Sequence, residues 1–154
     1  MNFELTDEEI ERILARYPNR AAALLPVLRL IQGRVGYVPP EAERYAASLL
    51  EISPARVHEA VTFYQSFREQ PAGKYLILVC ESISCALAGG ETILGFLKKH
   101  LGIAVGQTTA DKRFTLETTE CLAQCERSPT VMINGEIFAP ATPEALEKVL
   151  AEMK

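Results

Sequence analysis

Apolar residues in the first half of the chain recur at helical spacing, whereas in the second half they gather into short runs separated by turn residues. Thr6, followed three positions later by Glu9, forms a capping box and predicts a helix with Ile10, Ile13 and Leu14 on one face, broken by Pro18-Asn19. A second helix is expected from about Arg20 to Gln32, stopped by Gly33 as a left-handed cap, with Pro26 either kinking it or marking a shifted start. The turn from Gly33 to Pro39 leads into a third helix with Pro40 near its first position. A fourth is signalled by Ser53 as N-cap, Pro54 behind it, and Ile52 and Val57 placed as a hydrophobic staple. Residues 1–70 therefore predict a small helical bundle.

The pattern changes at Gln70-Pro71-Ala72-Gly73. Lys74 to Val79 reads as a strand ending at Cys80, and Glu91 to His100 as an amphipathic helix closed by Gly102. A strand is expected around Arg113 to Thr119. Two more, Thr130–Ile133 and Glu136–Ala139, flank Asn134-Gly135, a strong hairpin signal. Thr142-Pro143-Glu144 opens a last helix. The order β-α-β-β-β-α over residues 71–154 predicts a mixed sheet with helices, compatible with a thioredoxin-like α/β domain. The fold class is α+β.

Composition narrows the function by exclusion. The 154 residues are 48% hydrophobic and 23% charged, enough for a globular domain and a smaller one, and the net charge of −4 comes with no basic block, which argues against nucleic acid as a partner. Gly89-Gly90 alone makes no dinucleotide-binding loop, and neither a serine nucleophile motif nor a paired-histidine metal motif is present, so the chain shows no substrate site of its own. The N-terminus lacks the basic start and apolar stretch of a signal peptide, and no apolar run reaches membrane-spanning length. The expectation is a cytoplasmic chain without direct membrane insertion.

The chemistry rests on four cysteines in two pairs, Cys80-x4-Cys85 and Cys121-x3-Cys125, each placed where a strand-like segment ends. Thiolates at two strand ends on one edge of a sheet can converge, and four of them can hold two irons as a [2Fe–2S] cluster. Disulfides would need an oxidising compartment. Zinc tolerates such gaps, but zinc ribbons normally repeat one spacing in both halves; a structural zinc module that assembles a complex stays open as the competing class. A thioredoxin-type C-x-x-C is absent. A Rieske centre would need two histidines, and His58 and His100 lie away from the cysteines and read as a surface group and a helix-end group.

Four segments in order, Gly36-Tyr37-Val38-Pro39, Val61-Thr62-Phe63-Tyr64, Val79-Cys80-Glu81-Ser82-Ile83-Ser84-Cys85 and Glu120-Cys121-Leu122-Ala123-Gln124-Cys125, resemble the small thioredoxin-like [2Fe–2S] subunit (the E-type subunit) of NADH:quinone oxidoreductase, respiratory complex I. The likeness runs over about residues 10–150, and relatives of that subunit serve NAD-reducing hydrogenases and formate dehydrogenases. It implies Cys80, Cys85, Cys121 and Cys125 as ligands of one cluster that exchanges single electrons with the FMN of a partner flavin- and NADH-binding subunit. It also implies further Fe–S subunits of the peripheral arm as partners, NADH dehydrogenase activity only as part of that complex, and a peripheral place on the inner face of the cell membrane.

An all-thiolate centre carries a net negative charge before reduction, so a low potential is expected, on the order of the roughly −400 mV of plant-type ferredoxins. Ser82, Ser84 or Ser128 are candidates for tuning it, and Arg127 and Arg113 for offsetting its charge or for surface salt bridges. Phe63, Tyr64 and Phe67 read as packing between the two halves, with a partner-docking surface as the alternative, and Tyr37 reads the same way. One departure from the family pattern stands out. Its second pair usually runs Cys-Leu-Gly-Ala-Cys, and here Ala123 fills the glycine position, which predicts a reshaped loop, while Gln124 offers an amide near a sulfur.

Overall fold

The capping box expected at Thr6 opens α1 (Asp7–Leu14) in the computed structural model of the protein, which describes residues 2–153. The Glu9 N–H donates to Thr6 Oγ1 at 3.3 Å and the Thr6 N–H donates back to Glu9 Oε2 at 2.8 Å. Arg34 then pairs with the same Glu9 carboxylate and donates to the Glu4 carbonyl. A 3-10 turn, Arg20–Ala23, follows with Asn19 as its cap, and leads into α2 (Leu24–Val35). Pro26 is therefore the third residue of α2, where its missing N–H has no partner to lose, so it marks a shifted start rather than a kink. The expected stop at Gly33 is overturned: Gly33 lies within the helix, and the left-handed cap is Gly36 at φ 87°.

Helices α3 (Pro40–Leu50) and α4 (Pro54–Phe63) complete this unit, each with proline in its first turn and α4 with Ser53 accepting from the Arg56 N–H. Its core gathers Val27, Leu28 and Ile31 from α2, Ala42, Ala46 and Leu50 from α3, and Val57 and Val61 from α4. Each large aliphatic residue so buried contributes about 1.5–3 kcal/mol. Ile52 and Val57, the expected staple, both join this core. Phe67 is buried in it as well, whereas Phe63 is 75% exposed. The segment after α4 is tied down by Gln32, whose Nε2 donates to the Ser66 carbonyl at 2.7 Å while its Oε1 accepts from the Arg68 N–H at 2.8 Å.

The chain divides into two compact units between Pro71 and Ala72. The second holds a five-stranded sheet ordered β2-β3-β1-β4-β5, with β1 (Tyr75–Cys80), β2 (Gln107–Thr108), β3 (Phe114–Thr119), β4 (Val131–Ile133) and β5 (Glu136–Phe138). In that sheet β1 and β3 are parallel and the other pairs are antiparallel. The nearly continuous apolar run of β1 follows from its central place, which covers both faces. Helices α5 (Ile83–Leu87), α6 (Gly90–Leu101) and α7 (Pro143–Glu152) complete the unit. Ile93 and Leu97 of α6 and Leu146 and Leu150 of α7 bury their i, i+4 stripes with Ile77, Val79, Leu116 and Ile133. Neither α5 nor β2 is predicted from the sequence pattern. Among the described residues, no helix is long and apolar enough to cross a membrane.

Candidate metal centre

Parallel pairing of β1 with β3 sets Cys80 opposite Thr119, the last residues of the two strands, so both cysteine loops leave the same end of the sheet. The strands are interior neighbours, and the loops leave from strand ends on the same side of the sheet, as expected from the sequence. The ladder continues one step beyond, with the Glu81 N–H donating to the Thr119 carbonyl at 2.9 Å. On the other side the Cys80 N–H donates to the Thr130 carbonyl at 3.1 Å, just before β4. Cys80 is thus fixed by backbone bonds to the segments before and after the second cysteine pair.

Cys85 sits within α5, five residues beyond Cys80, and both residues are buried. Close approach is enforced by Gly90 at the start of α6, where a Cβ would lie 2.8 Å from the Cys85 carbonyl oxygen. The second loop folds against this pair. Cys80 Sγ lies 3.9 Å from the Glu120 carbonyl, and Cys85 Sγ lies 3.6 Å from Ser128 Oγ, which itself donates to the Cys125 carbonyl at 2.8 Å. Cys121 and Cys125 are exposed, and all four cysteines are free thiols.

Around the sulfurs the backbone supplies donors. The N–H groups of Ser82 and Leu122 face Cys80, that of Thr130 faces Cys85, and that of Ala123 donates to Cys121 Sγ at 3.3 Å. Ala123, at the position where the family pattern has glycine, holds the left-handed φ of 55°. Burial pushes the Cys80 thiol up. Burial acts on Cys85 in the same direction, but the Ser128 hydroxyl, the neighbouring Cys80 and the Thr130 groups outweigh it and hold that thiol below its ordinary range. Two adjacent buried thiols at the end of the sheet, with the second cysteine loop folded against them and the Ala123 N–H donating to Cys121 Sγ, form a donor set that fits an iron–sulfur cluster.

Arg113 lies at the far end of β3 from the cysteines, near Asp111 at 3.9 Å and donating to the Met153 carbonyl, so it is a salt-bridge residue. Arg127 donates to the Ala139 carbonyl. Gln124 enters through its backbone, accepting from the Arg127 N–H at 3.0 Å. Thr130 is a residue that sequence reasoning missed, since nothing local marks a threonine before a strand as a neighbour of sulfur. In the first unit, His58 Nδ1 lies 3.1 Å from Glu43 and 4.0 Å from Glu69, a compact ion-pair group of the kind a divalent cation can also occupy.

The family model for the thioredoxin-like [2Fe-2S] ferredoxin matches residues 10–154. The E-type subunit of the NADH-quinone oxidoreductase of Mycobacterium tuberculosis (strain ATCC 25618 / H37Rv) is 39% identical over 146 residues, covering 95% of this chain and 58% of the relative, so the chain spans little more than half of that protein. An E-type subunit of the NADH-quinone oxidoreductase of Rhizobium meliloti (strain 1021) is 35% identical over 147 residues, covering 96% of this chain and 88% of its own length. Among solved structures, the NAD+-reducing [NiFe]-hydrogenase in the H2-reduced state superposes with a TM-score of 0.70 at 25% identity, over 85% of this chain and 22% of that one.

Proposed function

The chain belongs to the thioredoxin-like [2Fe–2S] ferredoxin family, and from that premise we propose that it is an electron-transfer subunit of an NADH:quinone oxidoreductase, with Cys80, Cys85, Cys121 and Cys125 as the ligands of its cluster. The bound cluster supplies a store for one electron at a time. The protein's part is to hold four thiolates at one end of the sheet and to surround them with the N–H groups of Ser82, Leu122, Ala123 and Thr130, which spread the negative charge. The observation that carries the reading is the parallel register of β1 with β3, which sets Cys80 opposite Thr119 and brings the second cysteine loop to the first pair, with Cys80 Sγ 3.9 Å from the Glu120 carbonyl.

In this reading the electron is exchanged with the FMN of a partner NADH-binding subunit and passes on to other Fe–S subunits of the same peripheral arm. Residues 1–70 serve as the docking arm and residues 71–154 as the carrier. A groove of about 380 Å³ in the first unit, lined by Leu24, Leu25, Arg56, Ala60, Phe63 and Tyr64, supports the docking role, since Phe63 and Tyr64 expose aromatic surface beside it. Within such a complex the chain sits on the inner face of the cell membrane. A second reading, the diaphorase part of an NAD-linked hydrogenase or formate dehydrogenase, is favoured by the structural likeness to the NAD+-reducing hydrogenase.

The test is anaerobic purification with iron and zinc analysis, absorbance, and EPR after dithionite. About two irons per chain and a spin-half signal on reduction are expected, and Cys121→Ala should remove the visible absorption. An unchanged spectrum in that variant, or zinc without iron in the natural chain, overturns the ligand assignment. Co-purification from cells decides between the two complexes.

A further inference from the structure

The Ser128 side chain joins the two cysteine pairs. Its Oγ lies 3.6 Å from Cys85 Sγ, and its hydroxyl donates to the Cys125 carbonyl at 2.8 Å. Ser128 follows the 3-10 turn Cys125–Arg127 in extended backbone, at φ −63° and ψ 151°, so the hydroxyl folds back over the first carbonyl of that turn. The serines of the first loop have no such place: among the described residues, the hydroxyls of Ser82 and Ser84 bond to no sulfur.

With Cys85 as a free thiol the hydrogen bonds run one way, from the Cys85 S–H to Ser128 Oγ and from the Ser128 O–H to the Cys125 carbonyl. Ligation removes the first donor, because a metal ligand is a thiolate and a thiolate only accepts. The hydroxyl then has one proton and two acceptors within reach, a neutral carbonyl and an anionic sulfur. Left as it is, it would turn a lone pair towards a negative sulfur 3.6 Å away. A hydrogen bond to a charged acceptor is about twice as strong as one between neutral groups. Cys125 is exposed, so water is at hand for its carbonyl.

We propose that ligation turns the Ser128 hydroxyl from the Cys125 carbonyl to the Cys85 sulfur, where it donates to the bound cluster's ligand and raises the reduction potential, as a positioning residue rather than a ligand. The inference rests on the reading of Cys85 as a ligand. A hydrogen bond to a cluster sulfur draws off negative charge and favours the reduced form, which carries one negative charge more. The same hydroxyl thus serves the empty chain as a cap on the second cysteine loop and the loaded chain as a donor to the first pair.

The experiment is a potentiometric EPR titration of the full chain, natural and variant, after iron analysis of each sample. Ser128→Ala and Ser128→Val remove the hydroxyl, and Ser128→Thr keeps it on the shape of valine; the extended backbone before Pro129 accepts a branched side chain. The expected result is a more negative midpoint in the cluster-loaded Ala and Val variants, and a midpoint near the natural one in Ser128→Thr. Pulsed EPR before and after transfer to D2O should find one exchangeable proton coupling in the natural chain and in Ser128→Thr that both hydroxyl-free variants lack. Loss of the bond to the Cys125 carbonyl alone would not move that signal. Should one hydroxyl-free variant not fold, the other carries the comparison. An unshifted midpoint in a loaded Ala or Val variant, or a shift that Ser128→Thr does not reverse, overturns the role of the hydroxyl while leaving the ligands in place. A natural chain that binds no iron overturns the ligand reading and this one with it, so the two failures are distinguishable.

Discussion

Gly90 approaches Cys85 so closely that a methyl group on its Cα would lie 2.8 Å from the Cys85 carbonyl oxygen and 3.1 Å from the carbonyl carbon. Both atoms are backbone and neither can swing aside. The glycine is therefore what lets α6 begin directly against α5 and hold Cys85 beside Cys80.

Gly90→Ala is expected to destabilise the second unit by about 1–3 kcal/mol, the usual cost of overpacking, and to lower iron content because Cys85 must move with its carbonyl. Iron per chain and the urea midpoint of the purified variant check this. A variant with the natural iron content and midpoint would show that the contact relaxes freely.

At Ala123 the opposite substitution helps. A residue with a Cβ at φ 55° carries a cost of about 1 kcal/mol that glycine does not. Ala123→Gly should leave the visible spectrum in place and raise the unfolding midpoint, read from loss of cluster absorbance in urea, by the equivalent of about 1 kcal/mol. A lower midpoint would mean that the flexibility glycine adds to the unfolded chain outweighs the relief.

The first unit should weaken in acid through Glu9. The Thr6 N–H and the Arg34 guanidinium hold its carboxyl well below its ordinary 4.5, at about 2. A folded-state pKa below the unfolded one stabilises the fold fully above about pH 4.5 and loses that contribution as pH falls towards about 2. Urea midpoints followed by far-ultraviolet circular dichroism should therefore fall from pH 5 to pH 2.5, and less steeply in Glu9→Gln. Equal slopes in the two proteins would remove Glu9 as a source.

What is legible in the sequence follows the range of the forces involved. The caps of α1, α4 and α7 are readable because Thr6, Ser53 and Thr142 act on N–H groups three residues away. Gly33 and Gly36, three positions apart, offer two stops, and the sequence pattern favours the wrong one because a helix tolerates an interior glycine for about 1 kcal/mol. β2 consists of two residues whose only reason to be a strand is their pairing with β3. The cysteine spacing announces the metal chemistry, but the bond of the Cys80 N–H to the Thr130 carbonyl depends on the meeting of segments distant in the chain, and the close approach of Gly90 to Cys85 on how two helices pack.

Asn134 shows a local signal with a second, non-local use. The Asn-Gly turn is predicted for its backbone, and Asn134 does adopt φ 49° with Gly135 at φ 90°. Its side chain also reaches β1, where Oδ1 accepts from the Leu76 N–H at 2.8 Å and Nδ2 donates to the Lys74 carbonyl at 2.9 Å. Each such bond contributes about 0.5–1.5 kcal/mol net, and the left-handed conformation costs a residue with an ordinary Cβ about 1 kcal/mol. Asn134→Gly keeps the turn and loses the two bonds, for an expected loss of about 1–3 kcal/mol; Asn134→Ala loses both and should fall by about a further 1 kcal/mol. Urea denaturation of the three proteins side by side measures the two contributions separately. A Gly variant as stable as the natural chain would mean that water replaces the amide at the β1 edge, leaving the turn conformation as the reason for Asn134.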